Sequence, residues 1–115
     1  MTYYKINHMM RKGTDIMSKE YVGQAIGVFE LDNLTACFVA ADVAAKTADI
    51  KIQGIERNRL KWGACVKIRG GISDVTAAME AALKAAEPIA KVVSHTIIAS
   101  PTADTETAIA MTIKK

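Results

Sequence analysis

Aromatic residues, prolines and cysteines are all scarce in this chain. Its 115 residues include one Trp, three Tyr, two Phe, two Pro and two Cys. With so few aromatic side chains, the hydrophobic core has to be built from Ala, Val, Ile and Leu, which pack closely but bury modest area per residue. Two cysteines are too few for the disulfide framework of a small secreted domain, so a reducing compartment is the expected setting.

Long apolar runs are also missing. No segment approaches the roughly 20 consecutive apolar residues that a membrane-spanning helix needs, and residues 1–23 lack the apolar centre of a secretory signal. We therefore expect a protein of the cytoplasm with no membrane partner. The length of 115 residues, half of them apolar, is typical of one folded domain.

Recognisable catalytic and ligand-binding motifs are absent as well. His8 and His95 are far apart, and the spacing of Cys and His residues does not match a metal site. Cys37 and Cys65 lie in predicted elements and are interpreted as buried thiols. A Gly-Gly pair before a predicted helix completes neither a phosphate-binding loop nor a dinucleotide fingerprint. A Ser/His/Asp triad assembled by folding stays open, but we expect a protein with no enzymatic activity, no metal and no cofactor.

Positive charge is concentrated in one short segment. The net charge is only +3, yet a single loop carries Asn58, Arg59, Leu60, Lys61 and Trp62 directly after another arginine. Nucleic-acid binders normally carry a larger basic footprint, and proteins that bind single-stranded RNA add aromatic stacking platforms. We therefore expect no nucleic-acid partner. The loop is either a solvated, charged surface or a binding surface for anions.

The apolar pattern predicts alternating strands and helices. Strands are predicted at 22–30, 49–57, 64–69 and 92–100, and helices at 34–46 and 75–87. Gly54 interrupts the alternation of the second strand, which predicts a bulge. Ser73 or Asp74 is the expected cap of the second helix. The expected core face of the first helix follows helical spacing: Leu34, Phe38, Ala41 and Ala45.

This order of elements is the split β-α-β-β-α-β arrangement of ferredoxin-like α+β domains. We expect an antiparallel sheet with two alanine-rich helices on one face. The predicted organisation is a flexible N-terminal extension at 1–21, one domain at 22–104 and a tail at 105–115. The tail is either a short helix or an edge strand through Ile109, Met111 and Ile113. Residues 1–16 are either a poorly ordered native tail or the product of a start site upstream of Met17.

Five ordered segments resemble the single-domain shell proteins of bacterial microcompartments: 24–30, 34–36, 40–42, 46–52 and 66–70. Copies in that family form six-fold rings that tile into a shell. The resemblance implies a homo-oligomer, expected as a hexamer, in a microcompartment shell in the cytoplasm, beside other shell proteins and the enclosed enzymes. The family's pore loop lies between the second and third strands, so the resemblance assigns the pore lining to Asn58, Arg59, Leu60, Lys61 and Trp62. It assigns an edge contact between rings to Lys46.

Two departures from the family change these expectations. The loop is longer and more cationic than the family's short, glycine-rich loop, so it would favour anionic metabolites. Trp62 either plugs the opening or packs against a neighbouring subunit. Glu87 and Pro88 stand where the family often has an arginine that contacts the next ring, so flat tiling, a helical array and a ring that does not tile all stay open. The alternative function is a small-molecule-binding regulatory domain on the same scaffold.

Overall fold

A computed structural model describes residues 20–58 and 62–113. Within them, four strands form an antiparallel sheet in the spatial order β2-β3-β1-β4. In chain order the elements are β1 (Ala25–Leu31), α1 (Leu34–Thr47), β2 (Ile50–Arg57), β3 (Ala64–Gly70), α2 (Ile72–Ala86), β4 (Val92–Ile98) and α3 (Ala103–Thr112). The predicted α+β fold is confirmed, with a third helix after the last strand.

One face of the sheet, called the helix face here, carries α1 and α2. Alternate residues of β1 and β3 are buried there in one cluster with the two helices, among them Ala25, Phe29, Leu31, Val66 and Ile68. A Cβ atom at Gly27 would lie 2.9 Å from both Met79 Cε and Val75 Cγ1. Because Cβ atoms do not approach other atoms that closely, the glycine allows α2 to lie directly against β1.

The core face of α1 differs from the predicted face. Its buried residues are all small: Ala36, Cys37, Ala40, Ala41 and Ala44. Of the predicted set, Ala41 is buried, whereas Phe38 is 57% exposed and Ala45 is exposed. Small side chains let α1 approach both α2 and the sheet, and a phenylalanine in that contact would hold them apart. The predicted face is therefore wrong at Phe38 and Ala45 and correct at Ala41, and Leu34 is partly buried against the core.

Two local predictions have opposite outcomes. The bulge near Gly54 is confirmed, because the pairing of β2 with β3 shifts register between Ile52 and Gly54. The cap of α2 is wrong: Gly71 occupies the cap position without a side-chain bond, and α2 begins at Ile72. Asp74 lies in the first turn instead, where its negative charge still complements the helix dipole.

The C-terminal segment that the sequence left open is a helix. Thr102 caps α3, and its hydroxyl oxygen accepts a hydrogen bond from the N–H of Thr105 at 3.2 Å. Its two buried residues, Glu106 and Ala110, are four positions apart, which is the spacing of one helix face, and Met111 of the alternative edge strand is exposed. Of the helices described, none has the length and apolar composition to cross a membrane.

The predicted flexible extension at 1–21 falls mostly on residues 1–19, which lie outside the described residues and leave that expectation a prediction. Its last residue, Tyr21, is buried. The contact that buries Tyr21 belongs to the second face of the sheet, the face opposite α1 and α2. On β1 this face carries Ile26, Val28 and Glu30, and on β3 it carries Cys65, Lys67 and Arg69.

A buried ion pair joins the second face to α3. Arg69 on β3 is 0% exposed, and Glu106 in the first turn of α3 is 5% exposed. The guanidinium donates from Nη1 to Glu106 Oε1 at 3.0 Å and from Nη2 to Glu106 Oε2 at 2.5 Å. This two-bonded geometry is the strong form of an arginine–carboxylate contact.

Arg69 also holds the segment before β1. Its Nη2 donates to the backbone carbonyls of Tyr21 and Gln24, each at 3.2 Å, and the guanidinium lies 5.0 Å from the centre of the Tyr21 ring. Its Nη1 donates to Gln53 Oε1 on β2 at 3.3 Å. One side chain on β3 thus connects β2, α3 and the chain that enters β1.

We expect Arg69→Met to lower the free energy of unfolding by about 3–5 kcal/mol, because the Glu106 carboxylate would lose its buried cation. The double variant Arg69→Met/Glu106→Leu should recover part of that loss, since it removes both charges from the interior. Urea unfolding of the wild type and the two variants measures the difference. A double variant as unstable as Arg69→Met alone would show that the unpaired carboxylate is not the cause.

Candidate functional site

The basic loop between β2 and β3 is attached to the end of β1 and the start of α1. At its base, the N–H of Asn58 donates to the carbonyl of Gly63 at 3.2 Å. The carbonyl of Trp62 accepts the N–H of Leu34 at 2.6 Å, which ties the loop to the first turn of α1. Three of the predicted site residues, Arg59, Leu60 and Lys61, lie outside the described residues.

The side chain of Asn58 is directed toward the second face of the sheet. Its Nδ2 donates to Glu30 Oε2 on β1 at 2.7 Å. The other carboxylate oxygen, Glu30 Oε1, accepts from the hydroxyl of Ser94 on β4 at 3.3 Å. Glu30 is thus a site residue that the sequence analysis missed, because the bond joins positions 28 residues apart and has no local signal.

Trp62 lies on the opposite side of the loop base and is 66% exposed. It lines an open cleft of about 350 Å³ together with Arg57 and the beginning of α1, which contributes Asn33, Leu34 and Thr35. Arg57 is exposed. The cleft combines an indole, a guanidinium and the positive end of a helix dipole, and this combination suits a small anion. Arg57, which directly precedes the loop, thus adds an exposed positive charge beside it.

Lys46 lies at the far end of α1 from the loop. It occupies the last turn, and its Nζ is 2.7 Å from Asp42 Oδ2, one turn earlier. Both side chains are largely exposed, at 75% for Lys46 and 60% for Asp42. The hydrogen bond and the charge of Asp42 raise the pKa of Lys46. Lys46 and the described base of the loop therefore lie at opposite ends of α1.

A second polar cluster, also missed from sequence, lies beside the loop on the second face. Lys67 is 7% exposed. Its Nζ lies 2.5 Å from Glu56 Oε1 and 3.7 Å from Cys65 Sγ. The alternation of β3 did indicate a polar face opposite Val66, but it could not identify the partner on β2.

The thiols differ in burial. Cys37 is fully buried, as predicted, and its Sγ donates to the carbonyl of Ala64 at 3.6 Å. Cys65 is half-buried rather than buried. Burial raises the pKa of the Cys65 thiol, and the Lys67 cation offsets part of that rise. Among the residues described, no group of three or more His, Cys, Asp or Glu side chains could hold a metal ion.

The sequence matches the family model of the BMC domain over residues 25–101. This match covers β1 to β4 with both core helices. It excludes α3 and the chain before β1. The loop and Lys46 therefore lie inside the matched region, while Glu106 lies outside it.

Curated relatives carry shell-protein names. The chain is 31% identical over 78 residues to the bacterial microcompartment shell protein PduK of Citrobacter freundii, across 68% of this chain and 50% of PduK. It is 33% identical over 86 residues to the carboxysome shell protein CcmK3 of Halothece sp., across 72% and 82%. It is 32% identical over 84 residues to the shell protein EutM of Escherichia coli K12, across 72% and 84%. The chain spans about half the length of PduK but most of CcmK3 and EutM.

A solved structure shares the fold. A microcompartment protein from Desulfitobacterium hafniense DCB superposes with a TM-score of 0.66 at 21% sequence identity, covering 80% of this chain and 49% of that one. Identity at this level shows a common fold and nothing finer.

We expect Cys65 to react with iodoacetamide more slowly than free cysteine near neutral pH, because the thiolate is the nucleophile and burial raises its pKa. The rate should keep rising with pH after that of free cysteine has levelled off. Lys67→Met should slow the reaction further, since it removes the cation that lowers the thiol pKa. Peptide mass mapping separates Cys65 from Cys37, and a rate equal to that of free cysteine would contradict the expectation.

Proposed function

This chain belongs to the BMC-domain family of bacterial microcompartment shell proteins, and we propose that it is a structural shell component whose copies self-assemble. The match over residues 25–101 carries the proposal. The assembly is a symmetric ring, a hexamer by analogy with the family, or a related array. Its proposed place is the shell of a microcompartment in the cytoplasm, beside other shell proteins and around enclosed enzymes. Its role is structural rather than enzymatic, in keeping with the names of its relatives.

Exposed apolar side chains support assembly. Phe38 and Val39 on α1 are 57% and 42% exposed, although both are large enough to be core residues. Further exposed apolar side chains lie on or near β4: Ile89, Val93 and Ile98. Apolar area of this kind is stabilised when a second subunit covers it.

The positive charge of the basic loop supports a role in selecting which metabolites pass through the ring. In a ring, every subunit would place its loop near the same axis, and the positive charges of Arg59 and Lys61 would repeat around it. Converging like charges repel unless anions or water lie between them. The pore, lined by residues 58–62, would therefore favour anionic metabolites, and Trp62 would narrow it or pack on a neighbour.

One observation favours a second function. The cleft beside Trp62 and Arg57 has about the volume of a small-ligand site, at about 350 Å³. A regulatory domain that binds an anionic small molecule would use such a cleft. Saturable binding of one metabolite by unassembled protein would favour this function over the shell.

We expect the protein to form rings, sheets or helical arrays in electron micrographs, and phosphate to bind the assembly. Arg59→Ala/Lys61→Ala should weaken phosphate binding by roughly tenfold, about 1.4 kcal/mol, because two loop cations are lost. Lys51→Ala/Lys84→Ala removes the same charge from exposed positions on β2 and α2 and should change little. Equal losses in both variants would argue against a loop site, and a strictly monomeric protein at high concentration would argue against the shell.

We expect Lys46→Ala to weaken the association of rings into sheets and to leave single rings intact. Asp42→Asn is the matched control, because it breaks the Asp42–Lys46 pair but keeps the Lys46 cation for a neighbouring ring. Sheet area in micrographs and the mass of single rings measure the two levels of assembly. If both variants behave alike, Lys46 acts within its own helix and not between rings.

A further inference from the structure

We propose that Glu30 is the positioning residue of the β2–β3 loop: its carboxylate fixes the loop base by binding Asn58 on one side and Ser94 on the other. This inference rests on the proposed function only for the statement that the loop lines a pore for metabolites. The position of the loop itself can be measured independently.

The location of Glu30 in the sheet makes this possible. It is the penultimate residue of β1, a central strand, and its direct neighbours are Cys65 on β3 and Ser94 on β4. Its side chain lies on the second face, at the end of the sheet where β2 runs into the loop. A single carboxylate there can reach both the loop and the edge strand β4.

Each oxygen of Glu30 has its own donor. Oε2 accepts from Asn58 Nδ2 at 2.7 Å, and Oε1 accepts from Ser94 Oγ at 3.3 Å. Hydrogen bonds to an ionised carboxylate are roughly twice as strong as bonds between neutral groups. The nearby cation Lys67 is engaged by Glu56 at 2.5 Å. The Glu30 carboxylate is therefore directed to the loop and to β4.

The two legs of the loop are held in different ways. The leg that leads back to β3 is fixed by backbone: the carbonyl of Trp62 accepts from Leu34 N–H, and a Cβ at Gly63 would lie 2.5 Å from the carbonyl oxygen of Leu31. The leg that leaves β2 has a backbone bond as well, from the N–H of Asn58 to the carbonyl of Gly63, and the Glu30–Asn58 bond is what ties its side chain to β1. Because a side chain makes this tie to β1, a substitution can remove it without altering the strands.

Trp62 is the single tryptophan of the chain, and it reports on Asn58 because the next residue, Gly63, accepts the Asn58 N–H at 3.2 Å. Glu30→Gln keeps the shape of the side chain but leaves one acceptor oxygen for two donors and removes the charge. We expect it to increase the fast, local part of the Trp62 fluorescence depolarisation in full-length protein. Asn58→Ala should produce a similar increase. Ser94→Ala removes only the longer bond, at 3.3 Å, so it should increase the depolarisation less than Glu30→Gln or Asn58→Ala does.

Two double variants test whether the effect comes from the Glu30–Asn58 bond or from a general loss of rigidity in the protein. Glu30→Gln/Asn58→Ala should add little to either single change, because both remove the same bond. Glu30→Gln/Asn58→Asp restores a charge-assisted bond with donor and acceptor exchanged, and it should return the signal toward the wild type. Additive effects, an unchanged signal in Glu30→Gln, or no recovery in the reversed pair would each overturn the proposal.

Circular dichroism and the midpoint of thermal unfolding establish that each variant is folded. If Glu30→Gln does not fold, Asn58→Ala and the reversed pair still test the bond from the loop side. Phosphate binding to the assembled protein is measured in parallel. An altered Trp62 signal with unchanged phosphate binding would leave Glu30 as the positioning residue and count against the proposed pore role. A Trp62 signal in Glu30→Gln and Asn58→Ala equal to that of the wild type would reject the positioning role, whether or not the variants assemble normally.

Discussion

Arg69 is a buried cation in the middle of a sheet, and much of the structure follows from how its charge is neutralised. Its side chain is 0% exposed, so its charge needs a partner inside the protein. Its Nη1 and Nη2 donors also have partners there, whereas its Nε is buried with none among the described residues. Glu106 supplies the charge, and the carbonyls of Tyr21 and Gln24 accept further donors. These partners come from α3 and from the chain before β1. One arginine on β3 thus places both ends of the described chain on the second face.

α3 and Tyr21 cover part of the second face, while α1 and α2 share the other one. Their contact with the sheet is close, since alanines line it and Gly27 leaves no room for a side chain under α2. The contact between the helices and the sheet is filled mainly by small residues, and bulky residues such as Phe38 and Trp62 are exposed at the surface. For a protein of a shell-protein family, bulky apolar residues at the surface are available for contacts between copies.

The β2–β3 loop shows which features a local sequence pattern predicts and which it does not. Its length, its position between β2 and β3 and its basic residues are all visible in the sequence. Its attachment is not, because Asn58 binds Glu30 across 28 residues and Ser94 binds the same carboxylate across 64. The core face of α1 was misjudged for a related reason. Alanine contributes little to a hydrophobic period, so the pattern was dominated by Phe38, which the packing turns outward.

The sequence by itself determined the order of strands and helices from β1 to β4, the bulge at Gly54 and the likeness to shell proteins, because each depends on short segments of neighbouring residues. It left α3 open between a helix and an edge strand. Only the tertiary structure decided the partners of Arg69, Lys67 and Glu30 and the cleft beside Trp62. Arg69 and Glu106 are 37 residues apart, and no periodicity links a strand residue to a helix that packs on it later. Such pairings arise when burial forces each charge to find a partner in the space that the fold creates.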